Sequence, residues 1–135
     1  MTTTRNDWEQ RFQSLTLESR AFINGEYRPA ISGATFECLS PVDGRFLASV
    51  ASTDEADANL AVEVARQSFE SGVWANKAPA ERKRILIRFA DLILQNQEEL
   101  ALLETLDMGK PISDSMSIDI PATANAIRWS AEAID

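Results

Sequence analysis

The chain has 135 residues, 44% of them hydrophobic and 25% charged, which is ordinary for one folded domain and enough to build a core. Its 13 Lys and Arg against 21 Asp and Glu give a net charge of -8, which repels a phosphate backbone, so nucleic acid is not an expected partner. One cysteine, Cys38, excludes an internal disulfide or a cysteine metal cluster, the absence of histidine removes the commonest general base, and no apolar run approaches the roughly 20 residues that span a bilayer.

The opening residues hold no apolar stretch of the signal-peptide kind, and with one cysteine the chain reads as cytoplasmic, with no membrane partner. Residues 7 to 16 are predicted to form a short polar helix, with Trp8, Phe12 and Leu15 at helical spacing. Asn24-Gly25 between short apolar runs signals a two-residue hairpin turn, which needs positive φ at both central positions. Residues 35–39 and 46–50 read as two more strands around the turn marked by Pro41 and Gly44, so the first third is expected to be a meander of short strands.

The period then changes. Thr53 or Asp54 is placed to cap a helix whose face carries Leu60, Ala61, Val64, Ala65 and Phe69, with Gly72 as terminator. Pro79 opens the next helix, which keeps three- and four-residue apolar steps from Ile85 to Leu106. Asn96 is a candidate break within it, and Gly109 and Pro111 end it. A last helix is expected from Asp119 or Pro121, with Ile120, Ala124, Ile127, Ala131 and Ile134 on one face. That pattern is still running at Asp135, which reads as an interrupted chain.

The glycines lie at 25, 33, 44, 72 and 109, spacings that exclude both the dinucleotide fingerprint and the P-loop. Cys38 has no neighbouring base or cation cluster in the sequence and reads as a buried small residue rather than a nucleophile. Asp107 sits near the C-terminal end of a helix, where carbonyl dipoles disfavour a carboxylate by about 0.3–1 kcal/mol unless something offsets it. Lys110, a bound cation or nearby backbone donors are the candidates; a solvated helix end is the plainer alternative.

Glu104 to Pro111, ETLDMGKP, resembles a signature run of the aldehyde dehydrogenase superfamily. Phe22-Ile23-Asn24-Gly25-Glu26-Tyr27 resembles its opening hairpin. Thr35-Phe36, Ser40-Pro41 and Asp43-Gly44 resemble the strand and turn that follow. Arg82, Leu86 and Ala90-Asp91-Leu92, then Asp119-Ile120-Pro121 and Ala126-Ile127-Arg128-Trp129, resemble its next helices. The likeness covers nearly everything after residue 20. Within the superfamily it is strongest toward bacterial γ-glutamyl-γ-aminobutyraldehyde dehydrogenases, on residues 100–107 and 126–135.

The resemblance implies an α/β fold: residues 1–20 as an N-terminal arm, and 21–135 as the first, incomplete part of a Rossmann-like NAD(P)-binding domain, short hairpins followed by helices. It implies an oxidoreductase that turns an aldehyde into a carboxylic acid with NAD or NADP, through a cysteine thiolate, a glutamate base and an oxyanion-holding asparagine. Those catalytic residues, and the cofactor contacts, are expected downstream, so the segment alone is expected to be inactive scaffolding. The resemblance also implies a monovalent cation, Na⁺ or K⁺, held by backbone carbonyls near Cys38 and Leu39 and by the Asp107 carboxylate. Assembly as a homodimer or homotetramer and a role in putrescine breakdown are implied likewise. The alternatives are a non-catalytic helical interaction module and a truncated subunit that joins a full-length dehydrogenase. As a fragment, the chain is expected to leave Phe69, Trp74, Trp129 and Ile134 facing water.

Overall fold

A computed structural model of the chain describes residues 4–134. The first three residues of the expected arm and the last residue, Asp135, lie outside the described residues.

Helix α1 (Arg5–Ser14) starts two residues before its predicted position because Thr4 and Asp7 cap each other. The Thr4 N–H donates to Asp7 Oδ2 at 2.7 Å, and the Asp7 N–H donates to Thr4 Oγ1 at 3.4 Å. Reciprocal capping satisfies donors that the first helical turn leaves open. After an irregular stretch, β1 (Ala21–Ile23) and β2 (Glu26–Arg28) pair antiparallel with Ile23 opposite Glu26. Asn24 and Gly25 have φ of 57° and 77°, the left-handed pair that a tight hairpin requires.

Strands β3 (Thr35–Leu39) and β4 (Phe46–Ala51) form a second antiparallel pair, with a register shift between Cys38 and Leu39. The predicted meander is therefore two separate two-stranded sheets. Residues 29–34, between β2 and β3, turn the chain away from the first ladder. The Ala51 N–H donates to the Ser19 carbonyl and the Ser52 N–H to the Ala34 carbonyl, each at 2.8 Å, and these bonds link the pieces. At the tip of the second hairpin, buried Ser40 accepts from the Gly44 N–H through its carbonyl and from the Val42 N–H through Oγ.

Asp54 caps α2 (Glu55–Glu70), one of the two residues expected to do so. Its partner in the capping box is Asp57, only 1% exposed. Asp57 Oδ2 accepts from the Asp54 N–H at 3.1 Å, and Oδ1 accepts from the Ile31 N–H at 3.0 Å, so one carboxylate ties the loop before β3 to the start of α2. The expected buried face of α2 is not buried. Leu60, Ala61 and Val64 are half-buried, Ala65 is exposed and Phe69 is 68% exposed. The helical period is right, but no described element covers most of that face.

Pro79 is the first residue of α3 (Pro79–Gln95), and Asn96 separates it from α4 (Gln97–Met108), as the sequence indicates. Gly109 ends α4 with φ 76°, and a Cβ there would lie 3.1 Å from Pro41 Cγ, so both backbone and space favour glycine.

The region between Gly109 and Pro121 departs from expectation. Helix α5 (Ile112–Asp114) runs through a π-helical turn (Ser115–Asp119) into α6 (Ile120–Glu132), and Pro121 lies inside this run rather than opening it. Proline cannot donate, and its ring clashes with the carbonyl four residues back. The wider turn absorbs that clash: the Ile120 N–H bonds the Ser115 carbonyl, five residues back. The Met116 carbonyl then faces a proline where its donor should be, and the Gln97 side-chain amide of α4 donates to it instead. Helix α6 closes at Glu132 with Ala133 as its cap, so the apolar pattern that runs to the chain end outlasts the helix.

The body is α3 packed along α6 with α4 beside them. Ala90, Ala101, Ala124 and Ala131 are fully buried, which lets the helix backbones approach closely. Lys83–Glu132 at 2.6 Å and Arg128–Asp91 at 2.7 Å fasten the antiparallel α3–α6 pair at its rim. Among the described residues, five of the eight buried apolar residues are alanine, and the largest fully buried side chains are Asp57, Ser40 and Ser115. Large apolar residues are mostly outside: Trp129 is 74% exposed, Phe69 68% and Trp74 41%, as the fragment reading expects, whereas Ile134 is half-buried.

Candidate functional site

Of the three residues singled out for a cation, Cys38 and Asp107 are brought together, and Leu39 follows Cys38 in its strand. Cys38 and Leu39 end β3 at its register shift, and Asp107 is on the last turn of α4. The Cys38 thiol donates to Asp107 Oδ1 at 3.5 Å. An open cleft of about 320 Å³ runs beside the contact, walled by Leu47, Val50 and Leu103 and edged by Glu18, Glu104 and Asp107.

Cys38 is half-buried. Desolvation pushes its thiol above the usual cysteine range, and the hydrogen bond to Asp107 and the charge of that carboxylate push it the same way. A protonated thiol is a poor nucleophile. Glu18 is held down to about 2, chiefly by hydrogen bonds from the Arg20 side chain and backbone, so it is a firm negative charge at the cleft edge. Lys110 does not serve Asp107: its ammonium pairs with Asp119 in the π-helical turn, and that hydrogen bond raises its pKa.

These groups fit a hard monovalent cation in part. The carboxylate stands at the negative end of a helix, with Glu18 and Glu104 on the same cleft, whose walls are otherwise largely apolar. Among the described residues no three His, Cys, Asp or Glu side chains converge as metal ligands, so main-chain oxygens would have to complete the shell. Glu104 was legible, since it lies one helical turn before Asp107 in the same motif. Glu18 was not, because it lies in an irregular segment whose path only the fold defines.

Among the described residues both sheets are antiparallel, and no glycine-rich turn joins a strand to a helix start. No described helix is long and apolar enough to cross a membrane.

The chain is thus an α/β structure of short antiparallel hairpins followed by helices, with its motif aspartate at the end of α4. The chain belongs to the aldehyde dehydrogenase family, whose model matches residues 27–135. It is 50% identical over 128 residues to the NADP/NAD-dependent aldehyde dehydrogenase PuuC of Escherichia coli, covering 95% of this chain and 26% of that protein. It superposes with a TM-score of 0.97 and 66% identity on the Pseudomonas syringae indole-3-acetaldehyde dehydrogenase AldA in complex with NAD+, covering 99% of this chain and 27% of that one. On γ-glutamyl-γ-aminobutyraldehyde dehydrogenase from Burkholderia cenocepacia the TM-score is 0.94 at 52% identity, covering 96% of this chain and 26% of the other. The chain thus spans about a quarter of the length of these relatives.

Proposed function

We propose that this chain is the N-terminal scaffold of an enzyme that oxidises an aldehyde to a carboxylic acid with NAD or NADP in the cytoplasm. The observation that carries the reading is the superposition of nearly every residue on enzymes of this chemistry about four times as long. In this reading residues 1–20 are an arm, 21–135 begin the cofactor-binding domain, and the reactive cysteine, its base and the oxyanion donors come from polypeptide outside this segment. Cofactor contacts are assigned to that polypeptide too, since no phosphate-cradling turn is described here. NAD or NADP, where bound, would supply the hydride acceptor; the present residues hold the frame on which that site is built. The exposed faces of α2, α3 and α6 pack against the rest of the enzyme, which assembles as a homodimer or homotetramer.

The substrate we favour is γ-glutamyl-γ-aminobutyraldehyde, an intermediate in putrescine breakdown, because the chain resembles a dehydrogenase of that aldehyde at 52% identity and PuuC at 50%. The 66% identity to an indole-3-acetaldehyde dehydrogenase favours an aromatic aldehyde as the second reading. Nicotinamide reduction by the protein that carries this segment, followed with each aldehyde in turn, separates them. The first reading expects the higher kcat/KM with the glutamylated substrate; the reverse order selects the second. Catalysis by residues 1–135 alone would refute the scaffold assignment.

We also propose that Na⁺ or K⁺ sits between β3 and α4, on carbonyls near Cys38 and Leu39 and the Asp107 carboxylate. The support is the Cys38 thiol lying 3.5 Å from Asp107 Oδ1, with Glu18 and Glu104 at the edge of the adjoining, largely apolar cleft. Replacing K⁺ by a bulky quaternary ammonium ion should lower the melting temperature of the protein, and Asp107→Asn should remove that difference. An unchanged melt in both salts counts against the site.

A further inference from the structure

Helix α1 lies against the body without burying any of its ten residues, although Trp8 and Phe12 are half-buried beneath it. Charge fastens it beside this modest apolar contact. Arg11, in its last turn, pairs with Glu98, in the first turn of α4. That pair joins the negative end of one helix dipole to the positive end of another through side chains of the matching sign. Arg45, just before β4, lies with its guanidinium 4.6 Å from the Phe12 ring and reaches Glu9 at 3.7 Å. Arg11 also covers the Trp8 ring at 5.1 Å. Beneath the helix is a cleft of about 420 Å³ whose apolar lining is Trp8, Phe12, Val42, Leu102, Leu106 and Ile112.

We propose that α1 is a releasable strap, clamped by Arg11 and Arg45 over this apolar cleft, and that screening the two ion pairs lifts it. The Arg11 and Glu98 side chains are 44% and 50% exposed, so salt reaches their pair, unlike the buried contacts of α4 below. Segments with few buried contacts open locally at a small fraction of the cost of global unfolding. A helix of this length does not persist alone, so lifting also unwinds it and exposes its amides.

Amide hydrogen exchange on the intact protein reads this directly. Between low and high NaCl, exchange in residues 5–14 should rise about fivefold while residues 97–108 stay unchanged. Arg11→Glu should produce the rise at low salt, and the double change Arg11→Glu with Glu98→Arg should reverse part of it, since it restores the ion pair while opposing both helix dipoles. The salt series on the unaltered protein decides the matter if a variant fails to fold. Exchange in residues 5–14 that ignores both salt and Arg11→Glu would overturn the strap, as would exchange in α4 rising in step with α1.

Discussion

The helical body and the hairpin half of this chain are held together by different physics. In the body, α3, α4 and α6 meet through buried alanines and leucines, with ion pairs only at the rim. In the hairpin half the fastening is polar: Asp57 and Ser40, each 1% exposed, pin loops through backbone N–H groups, while Phe22, Tyr27, Phe36 and Phe46 stay more than half exposed. One half carries most of its own core. The other has its chain path fixed but its apolar surface uncovered, and under the scaffold reading that surface is completed by further polypeptide.

The contrast is sharpest at Asp57. Asp57→Ala removes the acceptor of two backbone N–H groups and should cost about 2–4 kcal/mol, read by denaturant unfolding, with loss of order centred on residues 29–34 and the start of α2. A cost below about 1 kcal/mol would mean the hairpin half is not pinned as described. Next in size, Ala124→Leu forces extra volume between α3 and α6 and should cost about 1–3 kcal/mol without altering the hairpins. Gln97→Leu leaves the Met116 carbonyl without a donor at the π-helical turn and should cost about 1–2 kcal/mol, with faster exchange confined to residues 115–121.

Smaller still is an effect of pH. The folded-state pKa of Glu18, about 2, lies below its ordinary 4.5. The Glu18–Arg20 contact therefore contributes fully above pH 4.5 and is lost as pH falls through about 2. Titration of the Glu18 carboxyl by NMR should show the low midpoint, and Arg20→Gln should return it toward 4.5. The smallest change is expected at Trp129, 74% exposed, where Trp129→Gln in the isolated segment should shift stability by less than about 0.5 kcal/mol.

What the sequence disclosed follows the same division. Local chemistry was readable: Asn24-Gly25 for the turn, Asp54 for a cap, Asn96 for the break, and Gly109 for the stop each act on the backbone beside them. The Thr4–Asp7 box was equally local and was missed because the apolar spacing of Trp8, Phe12 and Leu15 drew the helix start too late. Pro121 misled, since a proline near a helix start and one absorbed by a π-turn look alike until the turn before it is seen. The α2 stripe states which residues favour burial and not what buries them. At the candidate cation site, Cys38, Leu39 and Asp107 entered through the family resemblance, and the fold brings Cys38 against Asp107 across 69 positions of sequence, a distance no periodicity encodes.

The central claim is that the uncovered faces belong inside a larger enzyme. Hydroxyl-radical footprinting of Phe69, Trp74 and Trp129, run side by side on residues 1–135 alone and on the same segment within the longer dehydrogenase, tests it most directly. The expected result is heavy oxidation of all three in the isolated segment and strong protection of Phe69 and Trp129 in the longer protein. Equal oxidation in both would contradict the account.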